Sequence, residues 1–204
     1  MSPLHLPRRG VLLGGAGLAL GACATLPSGG SAAERVAAGV QRPRIPPTVH
    51  RVTDHGARPG DVDALPGFLA AIAAAADAGG GRVVVPPGDW RLDGPVHMRS
   101  RVDLHLEEGA TLRFTPDARF YQTVFTRWEG TEVYNHSPLI YARGQTDVAL
   151  TGKGRVEGGG RDYWFTWRPE QRPDQTRLRQ MGAEGVPVDQ RVFGLGHKLR
   201  PAFV

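Results

Sequence analysis

Arg127, Trp128 and Glu129 are consecutive and offer a guanidinium, an indole face and a carboxylate in one short stretch. A guanidinium takes a carboxylate through two parallel hydrogen bonds, and an indole face stacks on a flat or sugar-like ring. Glu129 suits orienting the arginine or a ligand hydroxyl better than acting as a catalytic acid. Trp164 heads a second polar and aromatic stretch, and His197 follows it. Arg127, Trp128, Glu129, Trp164 and His197 are therefore the expected ligand-binding residues, placed along a groove. The competing expectation is packing, in which Arg127 and Glu129 pair to brace a loop whose base Trp128 fills. The single cysteine, Cys23, allows neither an internal disulfide framework nor a cysteine-built metal site. No dense carboxylate cluster suits calcium, so neither metal nor cofactor is expected.

The elements that must position these residues are short. Val148-Ala149-Leu150-Thr151-Gly152 and Gly154-Arg155-Val156-Glu157-Gly158-Gly159-Gly160 are apolar-alternating runs closed by glycine, and Val102-Asp103-Leu104-His105-Leu106 followed by Thr111-Leu112-Arg113-Phe114 has the same pattern. Runs this short, divided by tight corners, suit a coil stacked on its neighbours. The fold expected is a parallel β-helix. Residues 64–78 read as a helix with an apolar stripe of Leu65, Phe68, Leu69 and Ile72, ended by Gly79-Gly80-Gly81. Such a helix ahead of the first coil would cover its open end. Between residues 115 and 138, and again from 162 to about 192, strand patterning lapses and aromatics gather, which reads as two long excursions.

The chain has 204 residues with 40% apolar content, enough for one domain with a real core. Its formal charge is +5, almost all from arginine, since lysine occurs only at Lys153 and Lys198. That balance reflects either an arginine-biased composition or attraction to a polyanion such as an acidic polysaccharide. Without a basic helix or basic-aromatic motif, nucleic acid is not an expected partner. Arg8-Arg9 before a short glycine-rich apolar run resembles a twin-arginine export signal, and Leu20-Gly21-Ala22-Cys23 resembles a lipobox with Cys23 as the lipidated residue. The expected layout is an export signal with lipobox over 1–23, a flexible linker over 24–49 and the coil domain over 50–204. The protein would then be an exported periplasmic or cell-envelope lipoprotein, held to the membrane through its N-terminal lipid.

Several stretches together resemble the polygalacturonase-type enzymes of glycoside hydrolase family 28. They include Asp54-His55-Gly56-Ala57, Gly79 to Pro86, Leu104 to Leu112, Thr126-Arg127-Trp128-Glu129-Gly130, Ser137 to Ala142 and Thr151 to Gly154. Arg58 to Asp63 departs from the family's usual loop before the helix. The resemblance implies an all-β, right-handed parallel β-helix of the pectin-lyase-like type, with an N-terminal capping helix. It also implies inverting hydrolysis of pectic, galacturonic acid-containing polysaccharide, with an acidic plant polysaccharide as partner. The family's catalytic motifs are Asn-x-Asp, Asp-Asp, Gly-His-Gly and Arg-Ile-Lys, and none is present, so no catalytic residue is assigned. Gly196-His197-Lys198 sits ahead of where those motifs fall, which leaves His197 structural or groove-lining. The expectation is an N-terminal part truncated before the later coils, inactive alone, whose partner would be the C-terminal half of the same enzyme. The alternative is a non-catalytic β-helix module that binds acidic glycan.

Overall fold

The computed structural model describes residues 31–204, so the export signal, the lipobox and Cys23 lie outside the described residues. Two compact units divide at Gln41 and Arg42. In the first, α1 (Ala32–Gly39) is a short helix with every residue exposed. Ser31 and Glu34 close a reciprocal capping box on it, which satisfies backbone donors at both positions. The linker expectation missed this helix because its signal is a cap rather than an apolar face.

The second unit holds the coil. After β1 (Val49–Arg51) and the 3₁₀ turn Val52–His55 comes α2 (Leu65–Asp77). Then follow β2 (Gly81–Val85), β3 (Gly88–Leu92), β4 (Val96–His97), β5 (Val102–Leu106) and β6 (Ala110–Phe114). Later strands repeat the cycle as β9 (Ile140–Tyr141), β10 (Ala149–Gly152) and β11 (Arg155–Glu157). They build three parallel sheets in the orders β1-β2-β5-β10, β3-β6-β11 and β4-β9. Like residues stack in register: Val83 on Leu104 on Leu150, and Trp90 on Leu112 on Val156. This arrangement is consistent with the expected parallel β-helix. The core runs through Val83, Val85, Trp90, Leu92, Leu104 and Leu112, all fully buried.

Helix α2 packs on β1 and β2. Phe68 and Ile72 are buried as expected, but Leu69 is exposed, and Ala71 and Ala75 complete the inner face. Small residues dominate there because the approach is close: a Cβ on Gly67 would lie 2.6 Å from the backbone nitrogen of Ala57. The unit also begins earlier than the expected His50. The Arg44 backbone N–H donates to Asp147 Oδ1 at 2.8 Å, and Thr48 Oγ1 donates to the Gly80 carbonyl at 2.7 Å.

Both excursions are ordered elements, which corrects the loop expectation and adds helix to an all-β scheme. The first is an antiparallel hairpin, β7 (Thr123–Trp128) with β8 (Thr131–His136). Its turn residues Glu129 and Gly130 have φ of 44° and 86°, the double left-handed pattern of a two-residue hairpin turn. The second comprises the 3₁₀ turn Trp164–Trp167, α3 (Arg168–Ala183) and β12 (Val192–Phe193), which pairs parallel with β8. A separate small core of Trp128, Val133, Leu178, Phe193 and Leu199 ties the hairpin to α3. Among the described residues no helix is long and apolar enough to cross a membrane.

Candidate functional site

The hairpin tip, the Trp164 turn and residues 200–203 enclose a cavity of about 330 Å³. That volume lies at the lower end of the range for small-molecule sites. Arg127, Trp128, Glu129 and Trp164 all line it, so four of the five expected residues meet there. Phe165 and Arg200 line it as well.

Each side chain has a structural tie. Arg127 lies on β7 opposite Glu132 of β8 and donates to its Oε1 at 3.3 Å, with its side chain 69% exposed. Trp128 is buried in the small core. Glu129, at the turn, accepts from Gln175 Nε2 at 3.0 Å and from Arg179, both on α3. The expected bracing pair therefore has other partners: Glu132 for Arg127 and Arg179 for Glu129. Trp164 is 4% exposed and donates from Nε1 to the Gly158 carbonyl at 2.8 Å, with Tyr121 and Trp167 edge-on to its ring. A Cβ on Gly158 would lie 2.0 Å from the Phe203 ring, so a larger residue there would have to displace that ring.

Phe165 and Arg200 were not among the expected residues. Arg200 donates from Nε to Gln171 Oε1 at 2.7 Å, and its guanidinium carbon lies 5.3 Å from the Phe165 ring centroid. Among the described residues it has no carboxylate partner. An arginine beside proline carries no periodic signal, and only the packing of α3 shows its role.

His197 goes elsewhere. It lines a second cavity of about 200 Å³ with His136, Asp117, Trp167 and Lys198. Its Nδ1 is 2.8 Å from Asp174 Oδ1, while Asp174 Oδ2 accepts the Lys198 backbone N–H at 2.7 Å. The structure places His197 against Asp174 and does not join it to the Arg127 cavity. His136 beside it is fully buried and donates from Nδ1 to the Tyr121 carbonyl at 3.3 Å. Burial holds its imidazole below the usual value, in the neutral form. Asp117 is held below the usual carboxylate range, chiefly by the side-chain hydrogen bond from Arg119.

Glu129 is the one carboxylate among the residues lining the first cavity, and Arg179 engages it. Inverting hydrolysis of a glycosidic bond needs two carboxyl groups, one as acid and one as base. The cavity lining combines two guanidiniums with aromatic groups. It does not contain that pair.

No family model matches the chain, and no curated protein is significantly similar to it in sequence. Among solved structures, the hyperthermoactive exopolygalacturonase of Thermotoga maritima matches with a TM-score of 0.79 and 38% identity, over 84% of this chain and 41% of that enzyme. The chain has the fold of a polygalacturonase-like glycoside hydrolase. It spans 41% of the length of the Thermotoga enzyme. The family 28 exopolygalacturonase of Yersinia enterocolitica matches more distantly, with a TM-score of 0.49 and 22% identity, over 56% of this chain and 21% of that one. The fold assignment rests on the Thermotoga enzyme alone.

Proposed function

We propose that this chain is the N-terminal, sugar-holding part of a family 28 polygalacturonase-like hydrolase acting on galacturonic acid-containing polysaccharide by inversion. The observation that carries the reading is the convergence of Arg127 and Arg200 on one aromatic-walled cavity. Of the two, Arg200 lacks a carboxylate partner among the described residues and is the guanidinium best suited to a uronate, while adjacent aromatic rings suit a sugar face. In this reading the coil winds right-handed, and α2 caps its first turn by laying Phe68 and Ile72 on the opening strands. The acid and base would come from residues beyond those in this chain, and the chain alone would not hydrolyse polygalacturonate.

A second reading, a non-catalytic module for acidic glycan, draws on one observation: Glu129 is already committed to Arg179. The two readings share a binding test and differ in a longer version of the protein. Oligogalacturonate should bind the chain more tightly than a neutral galactan of equal length, and Arg200→Ala should weaken oligogalacturonate binding. Equal affinity for both sugars would overturn both readings. Release of reducing ends by a version extended towards the length of the Thermotoga enzyme supports the hydrolase, and binding without release supports the module.

The proposed location is the bacterial cell envelope, with Cys23 lipidated after export. Cys23→Ser should move the protein out of the membrane fraction, and an unchanged distribution would overturn the anchor.

A further inference from the structure

A second groove, of about 470 Å³, opens on another side of the β7–β8 hairpin. Ile140, Tyr141 and Ala142 of the β9 segment line it, together with Phe125, Arg127 and Arg143. Phe125 and Arg127 are two apart on β7 and so face the same way. Arg127 is already matched by Glu132, which also lines the groove. Arg143 is not matched: among the described residues its guanidinium has neither an ion pair nor a hydrogen bond.

What it has is a ring. Its guanidinium carbon lies over the Phe125 ring, 3.9 Å from the centroid, which is close cation–π contact. Phe125 is itself held. The Tyr134 ring stands edge-on to it at 5.8 Å, and the Tyr141 hydroxyl donates to its carbonyl at 2.8 Å. Stacking occupies the face of a guanidinium and leaves its in-plane N–H donors free. Resting on the ring restricts the flexible arginine stem, so less freedom is lost on binding. Of the two guanidiniums in the lining, Arg127 is paired with Glu132, and Arg143 is the one that no carboxylate engages among the described residues.

We propose that Arg143, stacked on Phe125, is a specificity-determining residue that takes the carboxylate of an acidic sugar lying in this groove. This rests on the reading that the chain binds acidic glycan, and adds which residue separates the free acid from a neutral or methyl-esterified sugar. A methyl ester keeps the shape of the sugar but loses the charge and one acceptor, so the paired hydrogen bonds cannot form.

The test is equilibrium binding of digalacturonate, its methyl ester and neutral digalactose to the full chain. Wild type should prefer the free acid. Arg143→Ala should weaken digalacturonate by about tenfold, the scale of a charge-assisted hydrogen bond, and leave both neutral ligands within twofold. Arg143→Lys should restore part of the affinity but less of the preference, because an ammonium neither forks nor stacks in the same way. Phe125→Leu should reproduce part of the Arg143→Ala loss with the charge intact. If wild type prefers the free acid and Arg143→Ala keeps that preference, the assignment to Arg143 is wrong while the acidic-glycan reading stands. If wild type shows no preference, both fall together. An unchanged melting temperature in Arg143→Ala shows that lost affinity is not lost fold.

Discussion

The stacked coil and the hairpin–helix region are held by different means. In the coil, strands stack in register and their apolar side chains form one continuous core, which Trp164 and Trp167 of the second excursion join. The hairpin–helix region has a core of five buried residues, supplemented by tethers such as Glu129–Arg179 and His197–Asp174. Repetition makes the coil rigid, whereas a few anchors and polar ties hold the region that carries Arg127, Trp128 and Glu129. Sites assembled this way can vary their side chains without disturbing the scaffold beneath.

The largest expected effect is on the coil. A Cβ at Gly152, whose φ is 96°, would lie 1.9 Å from the Leu106 carbonyl oxygen. Backbone cannot yield as a side-chain tip can, so Gly152→Ala should destabilise by several kcal/mol and lower the yield of folded protein. A melting temperature within a degree or two of wild type would mean the coil tolerates local repacking.

Leu178→Ala removes the one fully buried leucine of α3. A loss of about 2–5 kcal/mol is expected. Hydrogen exchange should rise in β7, β8 and α3 while β2, β5 and β10 keep their protection, and sugar binding should fall. Equal loss of protection in both regions would erase the distinction drawn between them and make the unit fully cooperative.

Acid should act next. His136 has its folded pKa lowered by burial, so the native state favours neutral imidazole. As pH falls below about 6.5, the unfolded chain takes up a proton that the folded one refuses, and stability drops until the lower folded value is reached. Thermal melts from neutral to mildly acidic pH should show this slope, and His136→Gln should flatten it. Burial shifts His97 the same way, so some slope should remain. A slope identical to wild type in His136→Gln would sink the assignment.

The smallest effect belongs to Glu129→Gln. Its pair with Arg179 is about half exposed on both sides, and exposed pairs contribute roughly 0–1 kcal/mol. Melting should hardly change, while sugar affinity should fall modestly as the hairpin tip loosens.

The coil was legible because its signals are local. Alternation in Val102 to Leu106, glycine at its corners and an alanine-rich run ended by Gly79 are all properties of neighbouring residues. The hairpin was hidden because β7 is only partly buried along most of its length and lacks clean alternation. Helix α3 was hidden because it carries Pro169 and Pro173 and buries only Gln171 and Leu178.

By itself, then, the sequence determined the stacked strands and the group Arg127-Trp128-Glu129, since both depend on residues adjacent in the chain. Tertiary structure alone decided that Glu129 would answer Arg179, that Arg200 and Phe165 would join the cavity, and that His197 would face Asp174 instead. Those meetings join segments far apart in the chain, as does the packing of Leu178 of α3 on Trp128 and Val133 of the hairpin, and no local periodicity encodes such contacts.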